Sequence, residues 1–316
     1  MKKRVSAILL ALVLCLTLLP AAAYADGGTA VYVSSSSGND GTGDGSVDKP
    51  YATLAKAVDA AEDGATIYVM SDLTMKECAR FYSKSLTITS DEGGHYTVTR
   101  GSSFQTQPDD ARSWYNPAMV EVQTTGDVGA SLTLTNIIFD DDGKKEGTVF
   151  AQAVSDGSVG ATSNDNLVYV QDAIIASNAT VPTTITLGDG AVLRNFGGMS
   201  AVRTTGAAKL VMESGSVIED TSSITRSKGT AGSVGPAGAV WLQGSDFEMK
   251  SGAKIKNIDG RAVYADGGEV TIGGAISGIT GNANMWQGRD GTAIHLRGEN
   301  ASAVLTSTAV IEEISG

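Results

Sequence analysis

Six residues at one position of a recurring pattern carry most of the side chains here that could do chemistry: Glu121, Tyr169, Arg203, Trp241, Tyr264 and His295. Each follows an apolar residue: Val120, Val168, Val202, Val240, Val263 or Ile294. On an extended strand each therefore points away from that apolar neighbour. Trp114 precedes Val120 and Trp286 precedes Ile294, so all three tryptophans of the chain map to one edge. Strands stacked about 4.8 Å apart would turn these positions into an exposed ladder with aromatics on adjacent rungs. Flat rings stack on the C–H faces of sugars, and Glu121, Arg203 and His295 can hydrogen-bond to sugar hydroxyls. The expectation is a groove that holds a polysaccharide or surface glycan along the stack. Its contact residues are Glu121, Tyr169, Arg203, Trp241, Tyr264, His295 and Trp286. The alternative is a ladder that only stabilises a sheet through same-face pairs.

Catalysis asks for more. A lyase must neutralise a uronate, commonly through Ca²⁺ held by acids, and must supply a basic residue. The column offers one acid, Glu121, and one base, Arg203, about two rungs apart. A glycosidase needs two facing carboxylates, and no convincing pair stands out. No catalytic residue is assigned. Asp140, Asp141 and Asp142 form the densest acidic run and are the candidate Ca²⁺ ligands, although Lys144 and Lys145 beside them weaken that reading. Asn39, Asp40 and Asp44 lie in a Gly-rich loop, where turn formation is the expected role. The glycine-aspartate nonapeptide of calcium-binding toxin repeats is absent. His95 and His295 are far apart in sequence, which argues against a paired-histidine metal site. Nucleophile-elbow, phosphate-loop and dinucleotide motifs are also absent.

The elements that would position the column repeat along the chain. After each first strand comes an alternating apolar pair: Leu132/Leu134, Ile185/Leu187, Leu210/Met212, Phe247/Met249, Val270/Ile272 and Ala303/Leu305. A third apolar position follows: Ile138, Leu193, Ile218, Ile255, Ile276 and Ile311. Two residues later stands a turn residue: Asp140, Asn195, Asp220, Asn257, Gly278 or Glu313. Five of these six are Asn, Asp or Gly, which tolerate a left-handed backbone. Gly190, Gly215, Gly252 and Gly274 mark another turn just before the third position. Extra length collects before the next first strand, at residues 141–166, 221–238 and 280–292. A solenoid tolerates insertions at one corner because its strands still stack. A β-sandwich is the runner-up, but its connections would not repeat this order.

The opening segment reads as a cap. Pro50 suits a first helical turn, and Leu54, Ala57, Val58 and Ala61 form one apolar stripe at helical spacing. Such a helix can cover the open end of the first coil. Residues 31–69 resemble the start of pectate-lyase-like β-helices. The match comprises Val31-Tyr32-Val33, then Ser37-Gly38-Asn39-Asp40-Gly41-Thr42-Gly43, then Lys49-Pro50-Tyr51-Ala52-Thr53-Leu54, then Gly64-Ala65-Thr66-Ile67-Tyr68-Val69. The resemblance implies an all-β, right-handed parallel β-helix, the solenoid of pectate-lyase-like and adhesin-like proteins, with a short N-terminal capping helix. It implies a fold more than an activity, since that fold hosts lyases, hydrolases, tailspikes and adhesins.

Bulk properties narrow the function classes. Lys2, Lys3 and Arg4, the apolar run from Ala7 to Leu19, and Ala23-Tyr24-Ala25 read as an export signal over residues 1–25. Its removal takes away three cations and no acids, which deepens the net charge from −12 to −15. Such acidity disfavours nucleic-acid phosphates and anionic membranes as partners. No other apolar segment is long enough to span a bilayer. Only Cys78 would remain, so neither an internal disulfide nor a Cys-based zinc site can form. The expected organisation is a cap at about 30–69 and coils at about 70–316, with a fragment or an externally covered end expected at the C-terminus. The expected protein is extracellular, secreted or displayed at the cell surface, and adhesin-like. A polysaccharide lyase or other carbohydrate-active enzyme, or a purely structural stalk, are the alternatives.

Overall fold

The computed structural model describes residues 28–105, 118–124, 127–141, 174–198, 200–223, 238–281 and 291–315. The export-signal segment, Trp114, Asp142, Tyr169 and Trp286 lie outside these residues. Within them the chain is a parallel β-helix whose strands form three faces, and every pairing of its named strands is parallel.

The second face shows most clearly why the coils stack. It comprises β1 (Ala30–Val33), β2 (Thr66–Val69), β5 (Ser85–Ser90), β8 (Ala130–Thr135) and β16 (Asp246–Met249), and the later halves of β10 (Ile174–Leu187), β13 (Val202–Met212), β18 (Arg261–Ile272) and β20 (Thr292–Leu305). Strict alternation puts one side of each strand inside. Leu132, Ile185, Leu210, Phe247, Val270 and Ala303 fall in one register, and Leu134, Leu187, Met212, Met249, Ile272 and Leu305 in another. Leu86 and Ile88 extend both rows toward the N-terminus. All of these are buried except on the last coil. A one-residue slip would turn a whole row outward, so the core pins the register.

The first face comprises β4 (Ala79–Tyr82), β7 (Val120–Gln123), β15 (Val240–Gln243) and the first halves of β10, β13, β18 and β20. The third comprises β3 (Leu73–Glu77), β6 (Thr97–Gln105), β9 (Ile137–Asp140), β11 (Ala191–Arg194), β14 (Val217–Ser223), β17 (Lys254–Asp259), β19 (Ala275–Thr280) and β21 (Val310–Ser315), with the short β12 (Gly197–Gly198) beside β14.

Left-handed residues make the corners. Asn195, Asp220, Asn257, Gly278 and Glu313 have φ of 63°, 52°, 56°, 64° and 56°. Such a residue interrupts the period of two, so Ile255 and Ile258, and likewise Ile276 and Ile279, are both buried although three residues apart. Asn257 Nδ2 donates to Asp220 Oδ1 at 3.3 Å across this corner. Between the first and second faces a column of glycines does the same work: Gly206, Gly244, Gly267 and Gly298, with φ of 70°, 70°, 85° and 86°.

Two expectations fail in the coil that contains β9. Phe139, not Ile138, pairs with Leu193 and is fully buried together with Ile137. Asp140 pairs with Arg194 inside the ladder and is not a left-handed turn residue. The run Ile137-Ile138-Phe139 fits either phase of alternation, and the packing puts Ile137 and the larger Phe139 inside. In the next coil Ile174 pairs with Val120 and Val202 at the register position expected of Val168, which lies outside the described residues.

Helix α1 (Leu54–Ala60) fills the first-face position one coil before β4 and packs on it. Leu54, Ala57 and Val58 are its buried stripe. Its start is set by Thr53, whose hydroxyl accepts from Lys56 N at 3.2 Å. Asp40 holds Thr53 in turn: it accepts from the Ala52 and Thr53 amides at 2.7 and 3.1 Å and from the Thr53 hydroxyl at 2.8 Å. Pro50 precedes the helix instead of opening it. Its carbonyl accepts from Asn39 N at 3.0 Å. At the other end Leu305, Ile311 and Ile314 are 55, 38 and 39 % exposed, because no described coil stacks on them.

Asn257 offers a direct check on the corner. Asn257→Val should lower the free energy of unfolding by about 1–2 kcal/mol, because a branched side chain resists the left-handed region. Asn257→Gly should stay within about 1 kcal/mol of the parent. Urea unfolding measures both, and equal losses would show that backbone conformation does not decide this position.

Candidate functional site

The register of the first face aligns Ala79, Val120, Ile174, Val202, Val240, Val263 and Ile294. The residues that follow them form one column: Arg80, Glu121, Ile175, Arg203, Trp241, Tyr264 and His295. Five of the six expected column residues are thus brought together. Ile175 holds the position expected of Tyr169, and Arg80 extends the column one coil toward the cap.

The column is not the exposed ladder that the sequence suggested. Glu121, Arg203, Trp241 and Tyr264 are 5, 7, 7 and 1 % exposed, and His295 is half-buried. Parallel stacking puts each group over the next. The Arg203 guanidinium carbon stands 5.3 Å from the Trp241 ring centre. Arg261 lies 5.5 Å from the Tyr264 ring centre, and the His295 ring packs on the same tyrosine at 5.0 Å with a 30° tilt. Ring faces that cover one another are not platforms for a sugar. One donor nevertheless stays unanswered: the indole N–H of Trp241 is buried and has no hydrogen-bond acceptor.

Glu121 is committed within the protein. Arg80 Nε reaches its Oε2 at 2.7 Å, and Gln123 donates to its Oε1. Burial works against the Arg80 charge, yet Glu121, through charge and hydrogen bond, holds that guanidinium above its ordinary value. Burial also pushes the neighbouring Cys78 thiol far up, with the Glu121 charge adding to the effect. Cys78 is therefore a neutral core residue.

The accessible side chains stand two residues further along each strand, on the same side of the sheet. Tyr82 and Gln123 are in register at one end of this second column, and Thr205, Gln243, Asp266 and Arg297 at the other; Ser177 pairs with Gln123 between them, and the β10–β13 register shifts beyond Ala176. Tyr82 is 44 % exposed, Gln243, Asp266 and Arg297 are exposed, and Gln123 and Thr205 are half-buried. Sequence reading missed these residues, although the period of two that located the first column also locates this one. Their phenol, amide, hydroxyl, carboxylate and guanidinium groups line an outer edge, with the buried column as its floor. Arg297 Nη1 comes within 3.5 Å of the Tyr264 hydroxyl, linking edge to floor.

The acidic run lies elsewhere. Asp140 accepts from Arg194 Nε at 2.6 Å and from Asn195 Nδ2 at 2.8 Å. Asp141 is fully buried and accepts from Arg100 Nε at 2.6 Å. Each of these two carboxylates thus faces an arginine, and Asp142 lies outside the described residues. Among the described residues no group of three His, Cys, Asp or Glu side chains is arranged to hold a metal ion. His95 Nε2 lies 2.9 Å from the Gly190 carbonyl, on a different face from His295.

His295 gives the column a pH signature. Burial, and then the charges of Arg261 and Arg297, hold its imidazole below the ordinary value. The unfolded chain therefore takes up this proton at a higher pH than the folded chain does. Stability contributed through His295 is present above the ordinary imidazole range and is lost as pH falls through about 6.5. Thermal melts between about pH 8 and about pH 5.5 should show a smaller acid-side loss in His295→Gln than in the parent. An unchanged slope would show that this proton is not linked to folding.

No family model and no curated protein matches the chain. Among solved structures, one with detectable similarity is a crystal structure of a GH136 lacto-N-biosidase from Eubacterium ramulus. It is 9 % identical, with 90 % of this chain and 68 % of that chain covered, at a TM-score of 0.18. A likeness that slight carries no argument about activity.

Proposed function

We propose that this protein is a secreted or surface-displayed β-helix module, adhesin-like, that holds a glycan along its first face. The observation that carries the reading is the outer column Tyr82, Gln123, Thr205, Gln243, Asp266 and Arg297, running over an aromatic and cationic floor. Coils rise about 4.8 Å each, so donors and acceptors recur along an extended chain's own direction. An exposed tyrosine at one end adds an apolar face of the kind that sugar rings stack on. The export-signal pattern of residues 1–25 supports a place outside the cell. A rigid rod with one patterned face suits display and contact. Turnover is not part of this reading: Glu121, the one acid of the inner column, is bound to Arg80 and Gln123.

The test is a glycan-array screen of residues 26–316, with an ultraviolet assay for unsaturated products from acidic polysaccharides run alongside. Binding without turnover is expected. Because Tyr82 and Gln243 are exposed, Tyr82→Ala and Gln243→Ala should leave stability within about 0.5 kcal/mol. Each should weaken glycan retention about tenfold, corresponding to the loss of one stacking or hydrogen-bonding contact. Trp241→Ala is the wrong probe, since emptying a buried tryptophan site costs about 3–5 kcal/mol. Retention unchanged in both surface variants would overturn the proposal, and new absorbance would move the protein to the lyases.

A further inference from the structure

At the cap end of the first face a chain of contacts fixes which way one amide points. Arg80 Nε donates to Glu121 Oε2 at 2.7 Å, across one coil step. The other carboxylate oxygen, Oε1, accepts from Gln123 Nε2, two residues further along the same strand. A guanidinium only donates and a carboxylate only accepts. Gln123 therefore meets Glu121 through its NH2 group and not through its side-chain carbonyl. Holding one end of the amide defines the other, and Gln123 Oε1 is turned away from Glu121. That oxygen accepts no hydrogen bond among the described residues, and it is not buried. A glutamine without such a partner would present either end.

Beside this fixed acceptor stands a ring. Tyr82 is the register partner of Gln123 on the adjacent coil, about 4.8 Å away, and it is 44 % exposed. The Arg80 and Glu121 charges offset one another beneath the pair, and the charged members of the edge, Asp266 and Arg297, stand at its other end. An aromatic face next to a lone acceptor suits a neutral sugar, whose C–H face lies on the ring while one hydroxyl donates to the amide oxygen. A carboxylate or sulfate has no hydrogen to donate there. We infer that Arg80 and Glu121 are positioning residues that hold the Gln123 amide oxygen outward, so that Tyr82 and Gln123 form a subsite for an uncharged sugar ring that donates a hydroxyl. This rests on the glycan-binding reading above and names the ligand chemistry. Arg80 and Glu121 act through Gln123 and not on the ligand itself.

Affinity electrophoresis in gels containing dextran, hydroxyethyl cellulose, galactomannan or polygalacturonate reads the binding. Retardation by at least one of the three neutral polymers is expected. O-methylating that polymer removes its donors and keeps its acceptors, and should weaken retardation about tenfold. Gln123→Met, which keeps the length of the side chain and loses the acceptor, should weaken binding of the native polymer and abolish the discrimination against the methylated one. Glu121→Gln should abolish the discrimination by a different route. Arg80 then takes the oxygen of the new amide, the NH2 of that amide meets Gln123 Oε1, and the Gln123 NH2 turns outward, where an ether oxygen serves as well as a hydroxyl. A purely structural loss would weaken both polymers equally and leave their ratio as in the parent. Discrimination that persists in Gln123→Met, or in a Glu121→Gln variant that urea unfolding shows to be folded, overturns the inference. If Glu121→Gln does not fold, Gln123→Met alone decides. Retardation by polygalacturonate alone also overturns it. A parent retarded equally by native and methylated polymer would sink the subsite and leave the glycan-binding reading standing, whereas no retardation together with a silent array would sink both.

Discussion

Parallel register between coils is the constraint on which the rest of this molecule depends. Inward residues such as Leu132, Ile185, Leu210, Phe247 and Val270 stand directly over one another, one per coil. Because the side-chain period is two, that alignment cannot slip by a single residue without exposing the row. Outward residues inherit the same alignment without contributing to it. A surface column in this fold is thus a by-product of core packing. That is how residues as distant in sequence as Arg80 and His295 come to lie on one line.

Corners let the register survive a degenerate sequence. A left-handed residue at Asn195, Asp220, Asn257 or Gly278 redirects the chain and resets which side chains face inward. Each coil therefore leaves its third face with the inward phase reset, and errors of spacing do not accumulate along the rod. Insertions fall outside this machinery, between the third face and the next first face. The segments that precede Ala118, Ile174, Gly238 and Gly291 all join at that one corner. The cap obeys the same logic. Asp40 fixes the start of helix α1 through three hydrogen bonds, and the helix substitutes for the strand that would otherwise lie unpaired below β4.

Much of this was legible in the sequence, for a physical reason. Pairs such as Phe247/Met249 alternate strictly between polar neighbours, so only one phase buries them. Legibility failed where apolar residues run together. Ile137-Ile138-Phe139 satisfies either phase, and side-chain size decides between them. At the place expected of Val168 and Tyr169, which lie outside the described residues, Ile174-Ile175 pairs with β7. The site was legible in position and misread in exposure. Alternation says which side of a strand a residue takes, but not what stacks on it. Arg203 on Trp241 and His295 on Tyr264 are contacts across coils that no single strand encodes, while Arg261 meets Tyr264 along its own strand.

That misreading changes which side chains of the first face are open to contact. Rings buried and packed against neighbouring side chains contribute rigidity, so the buried column forms the floor and the edge is the exposed part. Its two ends are also built differently. Toward the cap, Arg80 and Glu121 form a pair whose charges cancel across one coil step. Toward the C-terminus, Arg203 lies against the Trp241 ring and Arg261 against the Tyr264 ring. A face whose two ends differ in this way is not the uniform aromatic ladder that alternation alone suggests.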